Sequence, residues 1–146
     1  MTQKPELTIA VDYLDLIMAS DELFDEEPIN RLLGEYAERG VDTVHWRVSV
    51  LGKLLYHTAT ADRHAAGPFN AGDVPGFAAV HQPIYEKCQA VMAAMDPMEV
   101  ASRLCRKHGL RIYPWLTIYD DAGYHPFTWS ELIRKHPEFC WKSFDE

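Results

Sequence analysis

The chain lacks a basic surface. Its 14 Lys and Arg are outnumbered by 22 Asp and Glu, the formal charge is -8, and the cations cluster nowhere. Gripping nucleic-acid phosphates or an anionic membrane requires the reverse balance, so neither nucleic acid nor membrane is an expected partner. A neutral or polyhydroxyl ligand fits better. Cysteine is scarce as well: Cys88, Cys105 and Cys140 are far apart and form no CxxC pair, which argues against a disulfide framework or a zinc cluster and for a reducing interior. Apolar runs of membrane-spanning length are missing. The opening MTQKPELTIAVDY has no basic region followed by a long apolar stretch and no small-residue cleavage site, so the expected compartment is the cytoplasm. No cofactor is expected.

What the chain does have is enough apolar matter for one core: 47% of its 146 residues are hydrophobic, a single domain spanning 1–146. Leu7 to Tyr13 reads as a first strand, with Ile9, Val11 and Tyr13 on one face and Thr8, Ala10 and Asp12 on the other. After an acidic connection, DELFDEE, Pro28 can open a helix in which Ile29, Leu32, Leu33, Tyr36 and Ala37 recur at helical spacing up to a stop at Gly40. Val41 to Val50 then alternates, with Val44, Trp46 and Val48 against Thr43, His45 and Arg47, a second strand with a polar inner face. Strand, helix and strand within about thirty residues is a βαβ unit and implies parallel pairing.

From about residue 52 to 83 the chain scatters Gly67, Pro68, Gly72, Pro75 and Gly76 among alanines and His57, His64 and His81, and reads as a long loop. Helical spacing resumes over Ile84–Met95, and Asp96, Pro97 and Glu99 spell a new helix start, with Val100, Ala101, Leu104, Cys105 and His108 on one side before Gly109. The stretch from Leu110, LRIYPWLTIYDDAGY, is the third strand: Tyr113, Trp115, Thr117 and Tyr119 share one face, Ile112, Pro114, Leu116 and Ile118 the other, and Asp120 and Asp121 follow in an acidic loop. Pro114 lacks a ladder donor and so prefers an edge or a bulge; in a partial barrel this strand is the edge. Thr128 to Glu131 spell a further helix start. The fold expected is α/β: part of a (β/α)8 TIM barrel, about three parallel βα units with helices outside.

In a sheet of this kind, residues at the C-terminal strand ends face a shared mouth. Asp12, His45, Arg47, Trp115 and Tyr119, with Asp120 and Asp121 just beyond, are therefore the candidate ligand-binding residues. Sugars pack their ring faces on aromatics and bond their hydroxyls to carboxylates and guanidinium, which is the mixture present. Each residue has a plainer role open to it. Arg47 can pair with Asp12, Trp115 and Tyr113 can simply fill the interior, His45 can be a hydrogen-bonded structural residue, and the two aspartates can solvate a turn. Trp46 belongs to the helix-packing face, and Cys88 and Cys105 to helix interiors.

Three segments, GVDTVHWR (Gly40–Arg47), Asp96-Pro97 followed by GLRIYPW (Gly109–Trp115), and HPEF (His136–Phe139), resemble the N-terminal part of the glycoside-hydrolase-like (β/α)8 barrels, the amylase-like and galactosidase-like group. The resemblance implies a carbohydrate ligand and, if the chain is an enzyme, a glycosidase. Those barrels take their acid and nucleophile from later strands, so no catalytic residue is assigned and hydrolysis by this chain alone is not expected. Two other readings stand beside it. One is a binding or assembly module completed by self-association through an open sheet edge, a homo-oligomer. The other is a sugar isomerase or epimerase using His45 and the acids around a divalent metal.

Overall fold

The structure, a computed structural model, describes residues 5–50, 53–59, 63, 76–117 and 135–139. Its elements run β1 (Thr8–Val11), α1 (Tyr13–Ala19), α2 (Glu26–Glu38), β2 (Thr43–Arg47), β3 (Ser49–Val50), β4 (Lys53–Leu54), α3 (Phe77–Ala94), α4 (Pro97–Lys107) and β5 (Arg111–Trp115). β2 is central in a sheet of order β1-β2-β5, and both pairings are parallel. The protein is thus a mixed α/β structure in which helices carry the chain between parallel strands.

Local chemistry sets the boundaries. The first strand stops at Val11, because Asp12 turns its carboxylate onto the Leu14 N–H (3.1 Å) and so starts a short helix; Tyr13 belongs to that helix, not to the strand. This helix, α1, fills the stretch between the first strand and DELFDEE, where the sequence signals no element. α2 begins at Glu26 behind an Asp25 cap and holds Pro28 in its first turn. α2 and α4 end alike, at Gly40 (φ 80°) and Gly109 (φ 72°). In each, the glycine N–H and the next N–H fold back on the last turn: Gly40 to Ala37 (3.0 Å) and Val41 to Tyr36 (3.0 Å), Gly109 to Arg106 (3.3 Å) and Leu110 to Cys105 (2.8 Å). Both turns release the chain directly into a strand.

The alternation from Val41 to Val50 is cut into two pieces. β2 ends at Arg47, and Ser49–Val50 pairs antiparallel with Lys53–Leu54 in a separate hairpin. The stretch read as a loop from 52 to 83 accordingly contains β4, and α3 begins within it at Phe77 and runs through Pro83. The further helix expected from Thr128 falls mostly outside the described residues; Pro137–Phe139 forms a single 3-10 turn.

One face of the sheet carries the core. Val11, Val44 and Trp46 are buried there, with Ile9 and Ile112 packed alongside, against Ile17 of α1, Ile29 and Leu33 of α2, Tyr85, Cys88 and Val91 of α3, and Val100, Leu104 and Cys105 of α4. Trp46 is the largest of the fully buried side chains, its ring 5.2 Å from that of Tyr13. Tyr13 also donates its hydroxyl to the Phe24 carbonyl, which satisfies the one polar atom it takes into the core. The helix-packing role expected of Trp46 is what the fold gives it; truncating a side chain buried this deeply costs about 3–5 kcal/mol.

The opposite face, with Thr8 and Ala10 of β1, His45 of β2, and Arg111, Tyr113 and Trp115 of β5, is exposed. Its N-terminal margin is tied by two acids. Glu6 takes the Thr43 hydroxyl and the Arg111 guanidinium (2.6 Å), while Asp42 takes the Leu7 N–H (3.0 Å) and offers its carbonyl to Arg111 N–H (3.0 Å). These bonds join the entrances of all three strands.

Pro114 lies where its missing donor is harmless. Arg111 N–H bonds Asp42, and Val48 N–H bonds the Trp115 carbonyl (2.9 Å), so Arg111, Tyr113 and Trp115 turn their backbone groups toward β2. Along a strand these directions alternate, so Ile112 and Pro114 turn theirs outward. Among the described strands β5 is an edge, as the proline requires.

Candidate functional site

The site residues come together where β1, β2 and β5 end. Parallel register sets His45 beside Tyr113 and Arg47 beside Trp115, so two side chains from each of two strands form a small rectangle on the exposed face. The rings of His45 and Tyr113 lie 5.7 Å apart, tilted by 34°. The Arg47 guanidinium carbon is 5.4 Å from the centre of the Trp115 ring, within cation–π range. Asp12 closes the group from the β1 side, its Oδ2 2.5 Å from Arg47 Nη1.

Accessibility divides these residues by role. The side chains of Arg47 and Asp12 are 18% and 20% exposed, a half-sheltered ion pair, while Tyr113 and Trp115 are 51% and 40% exposed. Filling an interior does not leave aromatic rings that open, so among the described residues these two line a surface. The pair leaves little net charge beside them, so a neutral ligand suits the surface better than an anionic one. Ser49 supports the rim, its Oγ accepting the Thr117 N–H at 2.9 Å and thereby pinning the exit of β5 to the hairpin.

Of the seven residues named from sequence, Asp12, His45, Arg47 and Trp115 converge here. Tyr119, Asp120 and Asp121 lie outside the described residues. Tyr113, read as interior filling, joins the exposed row, and Ser49 is an addition that no motif signals. The face shared by Ile112, Pro114 and Leu116 is only partly buried: Ile112 packs on the core, but Pro114 and, just past β5, Leu116 (56%) are exposed.

Of the remaining candidates, His57, Cys88 and Cys105 are structural parts, while His64 and Cys140 lie outside the described residues. His57 staples the chain to the start of α4, donating its backbone N–H to Asp96 Oδ2 (2.9 Å) while its ring meets the Met92 carbonyl (2.7 Å). Cys88 and Cys105 are free and buried, and burial pushes their thiols up to about 12 and about 11. Thiols held neutral in this way are poor nucleophiles. Among the described residues no three or more of His, Cys, Asp and Glu gather as a metal site. Nor, among them, is any helix long and apolar enough to cross a membrane.

Compared with known proteins, the sequence matches no family model. No curated protein matches it either.

Proposed function

We propose that this protein binds neutral carbohydrate on the exposed face of its parallel sheet, as the leading part of a glycoside-hydrolase-like (β/α)8 barrel. The observation that carries the reading is the paired row His45–Tyr113 and Arg47–Trp115 at the C-terminal ends of β2 and β5. Open aromatic faces suit the apolar faces of a sugar ring, and the ion pair alongside suits hydroxyls. The barrel is supported by the parallel β1-β2-β5 order and by the packing of the described helices on one face, since all-parallel sheets are ordinarily covered on both. Binding rather than hydrolysis is the activity proposed. Cleaving a glycosidic bond needs two carboxyl groups flanking it, about 5–10 Å apart, and among the described residues the row has Asp12, which is engaged by Arg47.

Neutral oligosaccharides, glucans and galactosides first, should therefore perturb the tryptophan fluorescence of the intact chain. Trp115→Ala should abolish the response while leaving the far-ultraviolet circular dichroism unchanged. No response of the unaltered protein across the panel overturns the proposal.

Self-association is a second reading, and the backbone narrows it. Leu7 turns its carbonyl toward β2, accepting the Asp42 and Thr43 N–H groups at 2.8 and 3.2 Å, so Thr8 and Ala10 turn theirs outward. The outer edge of β1, which keeps its donors, is the edge proposed for pairing with a second copy.

A further inference from the structure

We infer that Asp12 is a positioning residue, acting through Arg47 to hold the Trp115 ring as a preformed platform. The inference rests on the carbohydrate reading for what the platform receives, though not for the geometry itself. Asp12 divides its two oxygens between two tasks. Oδ1 accepts the Leu14 N–H at 3.1 Å and starts α1, while Oδ2 holds Arg47 Nη1 at 2.5 Å. Arg47 in turn stands 5.4 Å from the Trp115 ring centre. One carboxylate thus links the end of β1, the end of β2 and an indole on the edge strand β5.

The task needs a short side chain with two acceptors. Asparagine caps a helix as well as aspartate does, but its single carbonyl oxygen serves the cap or the arginine, and its amide nitrogen would face the guanidinium donors. Alanine does neither. The guanidinium offers several donors in a fixed fork, one toward Asp12 while its charge stands over the ring, so a lysine at position 47 keeps the charge and loses the fork that joins the two. At the opposite margin of the sheet, Glu6 binds Thr43 and Arg111 across the same three strands, which shows what such a link does as simple architecture. The Asp12 link differs in ending on an aromatic ring that is 40% exposed. An exposed indole on an edge strand has rotamer freedom to lose when a ligand arrives, and restricting it beforehand favours binding.

The test uses the full chain labelled with 5-fluorotryptophan, the Trp115 resonance being assigned by its disappearance in Trp115→Phe. Asp12→Asn should shift and narrow that resonance, leave the Trp46 resonance in place and preserve helical circular dichroism; Arg47→Lys should repeat the change. For any neutral sugar that binds, both variants should lose about tenfold in affinity. A Trp115 signal unmoved by Asp12→Asn and by Arg47→Lys overturns the inference. If the unaltered protein binds no sugar, the carbohydrate reading fails alone, because the fluorine signal still decides the positioning role. Should Asp12→Asn not fold, Arg47→Lys and Arg47→Met decide it with the same readout.

Discussion

At the scale of single residues, the buried thiols translate into a pH dependence. Cys88 is fully buried in the core, and burial raises its thiol from about 9 in the unfolded chain to about 12. Cys105 behaves similarly, rising to about 11. Between those values the native state keeps protons that the unfolded state gives up. The resulting stabilisation is complete below pH 9 and is lost as pH rises toward 11 and 12. Each thiol contributes a slope of at most about 1.4 kcal/mol per pH unit. Urea midpoints should therefore fall between pH 8 and pH 10 more steeply for the unaltered protein than for Cys88→Ala, whose midpoint is lower at both. Equal slopes would mean that the thiol is open to water. Glu6 acts in the opposite sense: the Thr43 hydroxyl and then Arg111 hold its carboxyl below the usual range, so its contribution is present above that range and fades as pH falls through the lowered value.

At the scale of elements, the helix starts differ in how much each capping aspartate carries. Asp96 bonds the Met98 and Glu99 N–H groups through Oδ1 (2.9 and 3.1 Å) and the His57 N–H through Oδ2 (2.9 Å), while Asp25 makes one bond, of 3.3 Å, to Glu27. Asp96→Ala should cost about 2 kcal/mol and Asp25→Ala about 0.5 kcal/mol, read from denaturant midpoints. Equal losses would show that the His57 staple contributes nothing. The start at Asp96 was legible in the sequence because a cap, a proline at the first position and Glu99 are all local signals. The same holds for the ends at Gly40 and Gly109, where a positive φ selects glycine. The division of Val41–Val50 was not legible. Alternation continues unbroken through Arg47, Val48 and Ser49, and only pairing with Lys53–Leu54, a tertiary event, turns the second half into a hairpin. α1 escaped for a related reason: Asp12 reads equally as the last residue of a strand or the cap of a helix, and Tyr13 is a good strand former. At the site, period-two patterning placed His45, Arg47 and Trp115 on one face correctly. It carried no measure of how far that face stands open, because side chains opposite are supplied from elsewhere in the fold.

At the scale of the whole molecule, the sheet has two unlike margins and two unlike faces. Helices cover one face with a continuous core, and the other presents a row of rings and an ion pair. Any ligand of that row meets elements from the first and last thirds of the described chain at once, so binding should couple β1 to β5 through β2. The two lateral margins are also unequal. β1 turns the N–H groups of Thr8 and Ala10 outward, while β5 turns out Pro114, which has none. Replacing Pro114 by valine would restore a complete outward row of donors and acceptors on a strand that already exposes Tyr113, Trp115 and Leu116. Pro114→Val should therefore aggregate faster on warming than the unaltered chain, with scattering and thioflavin binding as the readout; equal rates would show that the β5 margin is shielded by other means. The proline works as a gatekeeper. It lets a strand keep Tyr113 and Trp115 facing water without becoming a template on which further chains stack into fibrils.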